Sequence, residues 1–259
     1  MTFLYYNKIK YIFTIHRIME KIFIKNKKNL KISVNQNIHK QNKKLVFIMH
    51  GFGGSKNQII IKNLNNIFFK KGFNTISFDT TNSVGESEGN IKEASVKNYY
   101  EDLESVINWA SNQDWYQEPF SLIGHSLGGF CTAYFSEKYP QKVESLNLIS
   151  PFISGELSIE AYNRIYLKNP QKIEDLPSLY FEALGYSLFP LINKITSPTI
   201  IIAGEKDKII PMDHANILYN SLPLILKEFH IIKNASHIFY KKEQIEKLSL
   251  ILNKWIDKF

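Results

Sequence analysis

The stretch Phe120-Ser121-Leu122-Ile123-Gly124-His125-Ser126-Leu127-Gly128-Gly129-Phe130 decides how this chain folds. Phe120–Ile123 is an apolar run short enough for a buried strand. Leu127–Lys138 has the composition of a helix, so a strand must turn into a helix within a few residues. Gly124 and Gly128 flank Ser126 and permit that turn to be sharp, which lifts the serine hydroxyl above the end of the strand. The helix that follows points the positive end of its dipole back at the same atom.

The same rhythm extends outward in both directions. Lys21–Lys25 and Leu30–Val34 read as two short strands joined by the turn Asn26-Lys27-Lys28-Asn29. Leu45–Met49 is continuously apolar, as a strand buried on both faces of a parallel sheet should be. Ile59–Lys71 is a helix ending at Gly72, Phe73–Phe78 a strand, and Ala94–Ser111 an amphipathic helix. Val143–Ile149, Thr199–Ala203 and Glu228–Ile232 are further strands, with helices over Asp213–Leu222 and Gln244–Lys258. Strands alternating with helices predict an α/β fold: a mostly parallel central sheet with helices on both faces. Between the sixth strand and Thr199 the alternation stops. Phe152–Ile195 contains Pro170, Pro177 and Pro190 and many aromatics, and is expected to be a small helical cap inserted into a domain spanning residues 19–259.

A serine nucleophile needs a base, an acid to orient it, and donors for the developing oxyanion. Asp207 lies just past the strand Thr199–Ala203, and His237 lies in the loop after Glu228–Ile232. Both therefore fall at the carboxyl ends of parallel strands, the edge where such sheets bind ligands. The order Ser126, Asp207, His237 is the one expected when the nucleophile sits on a strand–turn–helix elbow. Glu205 and Asp213 are rival acids, Asp213 being read as a helix N-cap. His230 lies inside a strand, and His214 begins a helix. The oxyanion donors should be backbone N–H groups: that of Leu127, after the nucleophile, and that of Phe52 in the loop His50-Gly51-Phe52-Gly53-Gly54. Asp79 reads as a loop-fixing acid, Cys131 as a small buried residue, and His125 as packing beside the elbow.

Taken together, His50-Gly51-Phe52-Gly53-Gly54, Gly124-His125-Ser126-Leu127-Gly128-Gly129, Gly204-Glu205-Lys206-Asp207 and Ser236-His237 make a set. It resembles the α/β-hydrolase superfamily, most closely its lid-bearing carboxylesterases, monoacylglycerol lipases, feruloyl esterases and serine aminopeptidase-like members. The resemblance covers about Met19 to Phe259 and implies the roles already assigned. One departure stands out. Many members carry Asp-x-Arg-Gly-x-Gly-x-Ser where this chain has Asp79-Thr80-Thr81-Asn82-Ser83-Val84-Gly85-Glu86-Ser87, without the Arg-Gly pair and one residue longer.

These residues predict hydrolysis of a carboxylic ester through an acyl-enzyme on Ser126. The aromatic insertion suggests a small-to-medium apolar acyl or aryl substrate, with Phe52, Tyr162, Tyr166, Phe181 and Phe239 as candidate pocket residues. Amide or peptide cleavage is the nearest alternative, because Glu156, Glu160, Glu174, Asp175 and Glu182 in the insertion offer partners for a substrate ammonium. Acyl transfer uses the same triad, and a non-catalytic binding protein on the same scaffold is the alternative of a different class.

Charge placement narrows the partners. The chain of 259 residues has a net charge of +8, but residues 1–44 hold eleven Lys and Arg against Glu20 alone. The remainder is close to neutral, so no basic face for nucleic acid is expected. Met1–Ile18 mixes aromatics with Lys8, Lys10 and Arg17. It is too short to span a membrane and lacks a cleavage site and a transit-peptide composition. It is expected to be an unstructured leader or a weak surface-binding segment, with Met19 a candidate start. Stable membrane insertion is not expected. The single cysteine, Cys131, excludes an intrachain disulfide and fits a cytoplasmic setting. There is no Cys/His cluster with metal spacing and no phosphate-binding loop, so no metal or cofactor is expected.

Overall fold

The computed structural model describes residues 19–39, 44–166, 178–223 and 225–259. The leader, the expectations placed on it, and residues 167–177 of the insertion lie outside the described residues. Among the described residues eight strands run in chain order as β1 (Met19–Lys25), β2 (Lys31–Asn37), β3 (Leu45–Met49), β4 (Asn74–Phe78), β5 (Phe120–His125), β6 (Val143–Ile149), β7 (Thr199–Gly204) and β8 (Lys227–Ile232). The helices are α1 (Ile59–Lys70), α2 (Val96–Ala110), α3 (Leu127–Lys138), α4 (Gly155–Tyr166), α5 (Ser178–Ala183), α6 (Met212–Ser221) and α7 (Lys242–Ile256).

All eight strands join one sheet in the order β1-β2-β4-β3-β5-β6-β7-β8. The first two pairings, β1 with β2 and β2 with β4, are antiparallel; every later one is parallel. The continuous apolar runs are explained by burial on both faces. In β3, Leu45, Phe47 and Met49 enter a core shared with α2, α3 and α6, while Val46 and Ile48 enter a second core shared with α1 and α7. In β7, Ile201 and Ala203 face the first core, Ile200 and Ile202 the second. Each such fully buried Val, Leu, Ile, Phe or Met side chain contributes roughly 1.5–3 kcal/mol. The fold is therefore the expected α/β architecture.

The boundaries shift by one to three residues, each for a local reason. β2 runs on to Asn37, past the expected end at Val34, because Asn35–Asn37 pair with β4 and Asn37 Nδ2 donates to Thr75 Oγ1 at 2.9 Å. α2 begins at Val96 rather than Ala94, since Ser95 caps it by accepting from Asn98 N at 3.0 Å. α6 begins at Met212 after Pro211, so Asp213 sits in the first turn and is not the N-cap.

Exposed lysines of the β1–β2 hairpin make ion pairs. Lys21 pairs with Glu86 at 3.0 Å, Lys27 with Glu104 at 3.2 Å and Lys31 with Glu88 at 3.4 Å. Exposed pairs of this kind add little stability, but they neutralise half-exposed Glu86 and Glu88 and the more buried Glu104 along that edge. Between β6 and β7 the described part of the insertion contains α4, α5 and a 3₁₀ turn over Phe189–Lys194, with one isolated bridge between Ser154 and Ser187. Among the described residues no helix is long and apolar enough to cross a membrane.

Candidate active site

Ser126 stands at the junction of β5 and α3 with φ 55° and ψ −121°. This backbone is sterically costly for any residue with a Cβ, and it is held from several sides. Ser126 N donates to Ile149 O at 3.0 Å, while Ser126 O accepts from Gly129 N, Phe130 N and Phe152 N at 2.9, 3.2 and 3.0 Å. The flanking glycines are a steric necessity. A Cβ on Gly124 would lie 2.2 Å from Gly128 O, and one on Gly128 would lie 2.5 Å from His50 O. Ser126 is half-buried, and its hydroxyl makes no hydrogen bond among the described residues, which leaves it free to meet a ligand.

Asp207 follows β7 and His237 lies in the loop after β8. His237 Nδ1 donates to Asp207 Oδ2 at 2.8 Å, and Asp207 Oδ1 accepts from Ile209 N and Ile210 N, both at 2.9 Å. The carboxylate is fully buried, and the imidazole is 11% exposed. Burial alone pushes the Asp207 carboxyl up. The His237 hydrogen bond and charge, with the Ile210 N–H, outweigh it and hold the group below the ordinary carboxylate range. Beside the elbow, His125 Nε2 lies 2.8 Å from His237 O, and the two rings are 4.8 Å apart at 44°.

The rival groups are engaged elsewhere. Glu205 accepts from Asn234 N at 2.7 Å and so braces the loop that carries His237. Asp213 pairs with Arg164 of α4 at 2.7 Å. His230 sits on edge strand β8 beside Glu228, 2.6 Å away. His214 is buried in α6, and burial holds it below its ordinary value.

The loop after β3 approaches the serine closely: a Cβ on Gly51 would lie 2.7 Å from Ser126 Cβ and 3.2 Å from its Oγ. His50 shapes this loop. Its Nε2 accepts from Thr80 N at 3.0 Å, so its Nδ1 carries the proton and donates to Gly51 O at 2.7 Å. Among the described residues the N–H groups of Phe52 and Leu127 have no hydrogen-bond partner. Lys56 anchors the far end of the loop. Its side chain is fully buried, with Nζ 2.6 Å from both Asp79 Oδ2 and Glu86 Oε2, and its backbone N donates to Asp79 Oδ1 at 2.6 Å. Hydrogen bonds from Lys56 and Lys21 drive the Glu86 carboxyl down to about 2. Lys56 went unread in the sequence, where a lysine in a polar loop is unremarkable; the one signal was Asp79, an acid ending a buried strand.

The aromatic candidates are placed unevenly. Phe52 is half-buried against the α2/α3 core and Tyr162 half-buried on α4. The side chains of Tyr166 and Phe181 lie outside the described residues. Phe239, read as a pocket residue, is fully buried in the α1/α7 core and has φ 46°. Phe130, Phe152 and Tyr186 form an aromatic cluster at the root of the insertion, with Phe130 ring centroids 5.1 and 6.0 Å from the other two. Among the described residues there is no group of three or more His, Cys, Asp or Glu side chains arranged for a metal ion.

Known proteins resemble this chain in sequence and fold. The palmitoyl-protein thioesterase ABHD10 of Bos taurus is 26% identical over 206 residues, covering 71% of this chain and 63% of that protein. The monoacylglycerol lipase abhd6-B of Xenopus laevis is 24% identical over 252 residues, covering 76% of this chain and 70% of that protein. The chain thus spans a little under two thirds of the bovine relative's length. The structure of Est1E from Butyrivibrio proteoclasticus superposes with a TM-score of 0.78 at 17% identity, covering 92% of this chain and 98% of the other. The serine aminopeptidase S33 model matches residues 40–184, more than half of the 259, and takes in the His50 loop, the Ser126 elbow and the start of the insertion. By that match this chain belongs to the serine aminopeptidase S33 family and carries the α/β-hydrolase fold.

Proposed function

We propose that this protein hydrolyses carboxylic esters or thioesters of apolar acyl or aryl groups through an acyl-enzyme on Ser126. His237 Nε2 takes the proton from Ser126 Oγ as the oxygen attacks the carbonyl carbon. The oxyanion is received by the N–H groups of Phe52 and Leu127. His237 then returns the proton to the leaving alcohol or thiol; a water deprotonated by the same imidazole attacks the acyl carbon, the C–Oγ bond breaks to release the acid, and the imidazolium gives its proton back to Ser126 Oγ. Asp207 holds the tautomer and stabilises the imidazolium. The observation that carries this reading is the buried 2.8 Å Asp207–His237 pair at the strand ends beside the strained Ser126 turn.

Ester rather than amide chemistry is favoured by where the insertion's acids go. Glu182 accepts from Val96 N at 2.8 Å and caps α2, Glu160 pairs with Arg164, and Glu156 is exposed. Glu182 and Glu160 are thus engaged away from a substrate ammonium, while Glu174 and Asp175 lie outside the described residues. The names of the relatives agree: a palmitoyl-protein thioesterase, a monoacylglycerol lipase, and an esterase structure with ferulic acid bound. A fluorophosphonate probe should label the wild type and not Ser126→Ala. Turnover should follow a series of p-nitrophenyl esters of rising chain length, with aminoacyl amides inert. Equal labelling of the two proteins, or preference for the amides, would overturn the reading.

A further inference from the structure

His125 precedes the nucleophile, and elbow geometry alone asks nothing of its side chain. Yet its ring is 4% exposed and reaches across to the loop that carries the other half of the site. The acceptor there is a main-chain carbonyl, which cannot donate. His125 Nε2 must therefore carry the proton and give it to His237 O at 2.8 Å. Among the described residues His125 Nδ1 has no hydrogen-bond partner.

We propose that His125 is a positioning residue, which fixes the main chain of His237 so that the turn presenting Ser126 also sets the place of its base. The proposal rests on the triad reading above. The Asp207 hydrogen bond fixes only His237 Nδ1, and a ring held at one atom can still swing if its backbone moves. The other ties of this loop lie towards its start. Asn234 N donates to Glu205 and Asn234 O accepts from Gln244 Nε2, at 2.7 and 2.9 Å. Beyond His237 the loop is held by packing, with Phe239 buried in the α1/α7 core, but its hydrogen bonding is weak: Phe239 N to Ser236 O is long, at 3.4 Å. The His125 contact therefore holds the loop at the residue that matters. The coupling is short, because Ser126 is the next residue along the chain from the donor.

The charge state suits the task. The groups acting on His125 are His237, Asp207 and His50, and burial, joined by the positive charge of His237, holds the imidazole down to about 3. His125 thus remains neutral while His237 gains a proton, and its hydrogen bond persists through the catalytic cycle.

The test compares His125→Phe, which keeps a ring without the donor, with His125→Gln, which restores an N–H donor, alongside Ser126→Ala. On a p-nitrophenyl ester, His125→Phe should lower kcat about 10- to 100-fold with little change in KM, the scale of a misplaced catalytic group. It should also shift the inflection of the kcat–pH profile assigned to His237. His125→Gln should recover most of the rate. Hydrogen exchange of residues 234–240 should rise in the Phe variant and not in the Gln variant. If His125→Phe does not fold, His125→Ala removes the same donor without added bulk. Unchanged kcat, pH profile and exchange in the donorless variants would overturn the proposal, as would Gln behaving no better than Phe. Activity surviving in Ser126→Ala would instead sink the triad reading, an outcome that the exchange measurement separates from the first.

Discussion

Two buried carboxyls respond to pH in opposite ways. Asp207 is held below the ordinary carboxylate range, so the native state favours its ionised form. Its stabilisation is present above the unfolded value near 3.9 and is lost as pH falls through the lower folded value. Asp207→Asn should therefore flatten the acid limb of the wild-type melting curve. It should also reduce kcat by about 10⁴-fold, because an amide favours the wrong imidazole tautomer. Glu137 on α3 is the reverse case. It is 2% exposed, neither oxygen has a partner among the described residues, and burial pushes it up to about 8 against a small pull from Lys194. Here the native state favours the protonated form. Stability should be full below about pH 4 and fall as pH rises through 8, and calorimetry on Glu137→Gln should show that this slope has gone. A Glu137→Gln protein whose melting temperature still falls over that range would refute the assignment.

At the scale of elements, the oxyanion loop depends on a lysine that never sees water. Lys56→Met leaves Asp79 buried without its cation, and removing one partner of a buried pair costs about 3–5 kcal/mol. Denaturant unfolding should show a loss of that order, with a fall in kcat as the loop carrying Phe52 relaxes. Two of the polar ties that hold the described part of the insertion differ in strength. Glu182 of α5 satisfies the first N–H of α2, so Glu182→Ala should destabilise by about 1 kcal/mol and raise KM for long acyl esters. Arg164 of α4 meets Asp213 and Glu160 in the open, with half-exposed partners. Arg164→Ala should leave the unfolding midpoint essentially where it was, because exposed pairs contribute little.

For the whole molecule, what could be read from sequence depended on whether the physics was local. Leu45–Met49 and Thr199–Gly204 announced themselves because strands buried on both faces must be apolar throughout. The Ser126 turn was legible because only glycine fits at positions 124 and 128. Asp207 and His237 were legible as strand-end residues in the expected order. Phe239 was placed near a pocket by its position just after His237, but between exposed Ile238 and Tyr240 its ring packs into the α1/α7 core, which no local pattern signals. The partners of Lys56, His125 and Glu182 lie 23, 112 and 86 residues away. Such pairings are products of the assembled sheet, and no window of sequence contains them.

The hydrogen bond from Phe152 N to Ser126 O sets a boundary for engineering. Residues just past β6 belong mechanically to the elbow: Pro151 lies against Gly129, and Ile153 O accepts from Leu188 N at 3.1 Å. A foreign insertion spliced in at Pro151 would therefore cut into the support of the serine itself. One exchanged from Gly155 onward, with Leu188 and its partner kept, leaves that support whole. The module that could be traded between relatives to change substrate preference is thus shorter than the gap between β6 and β7, and its safe seam lies four residues beyond the proline.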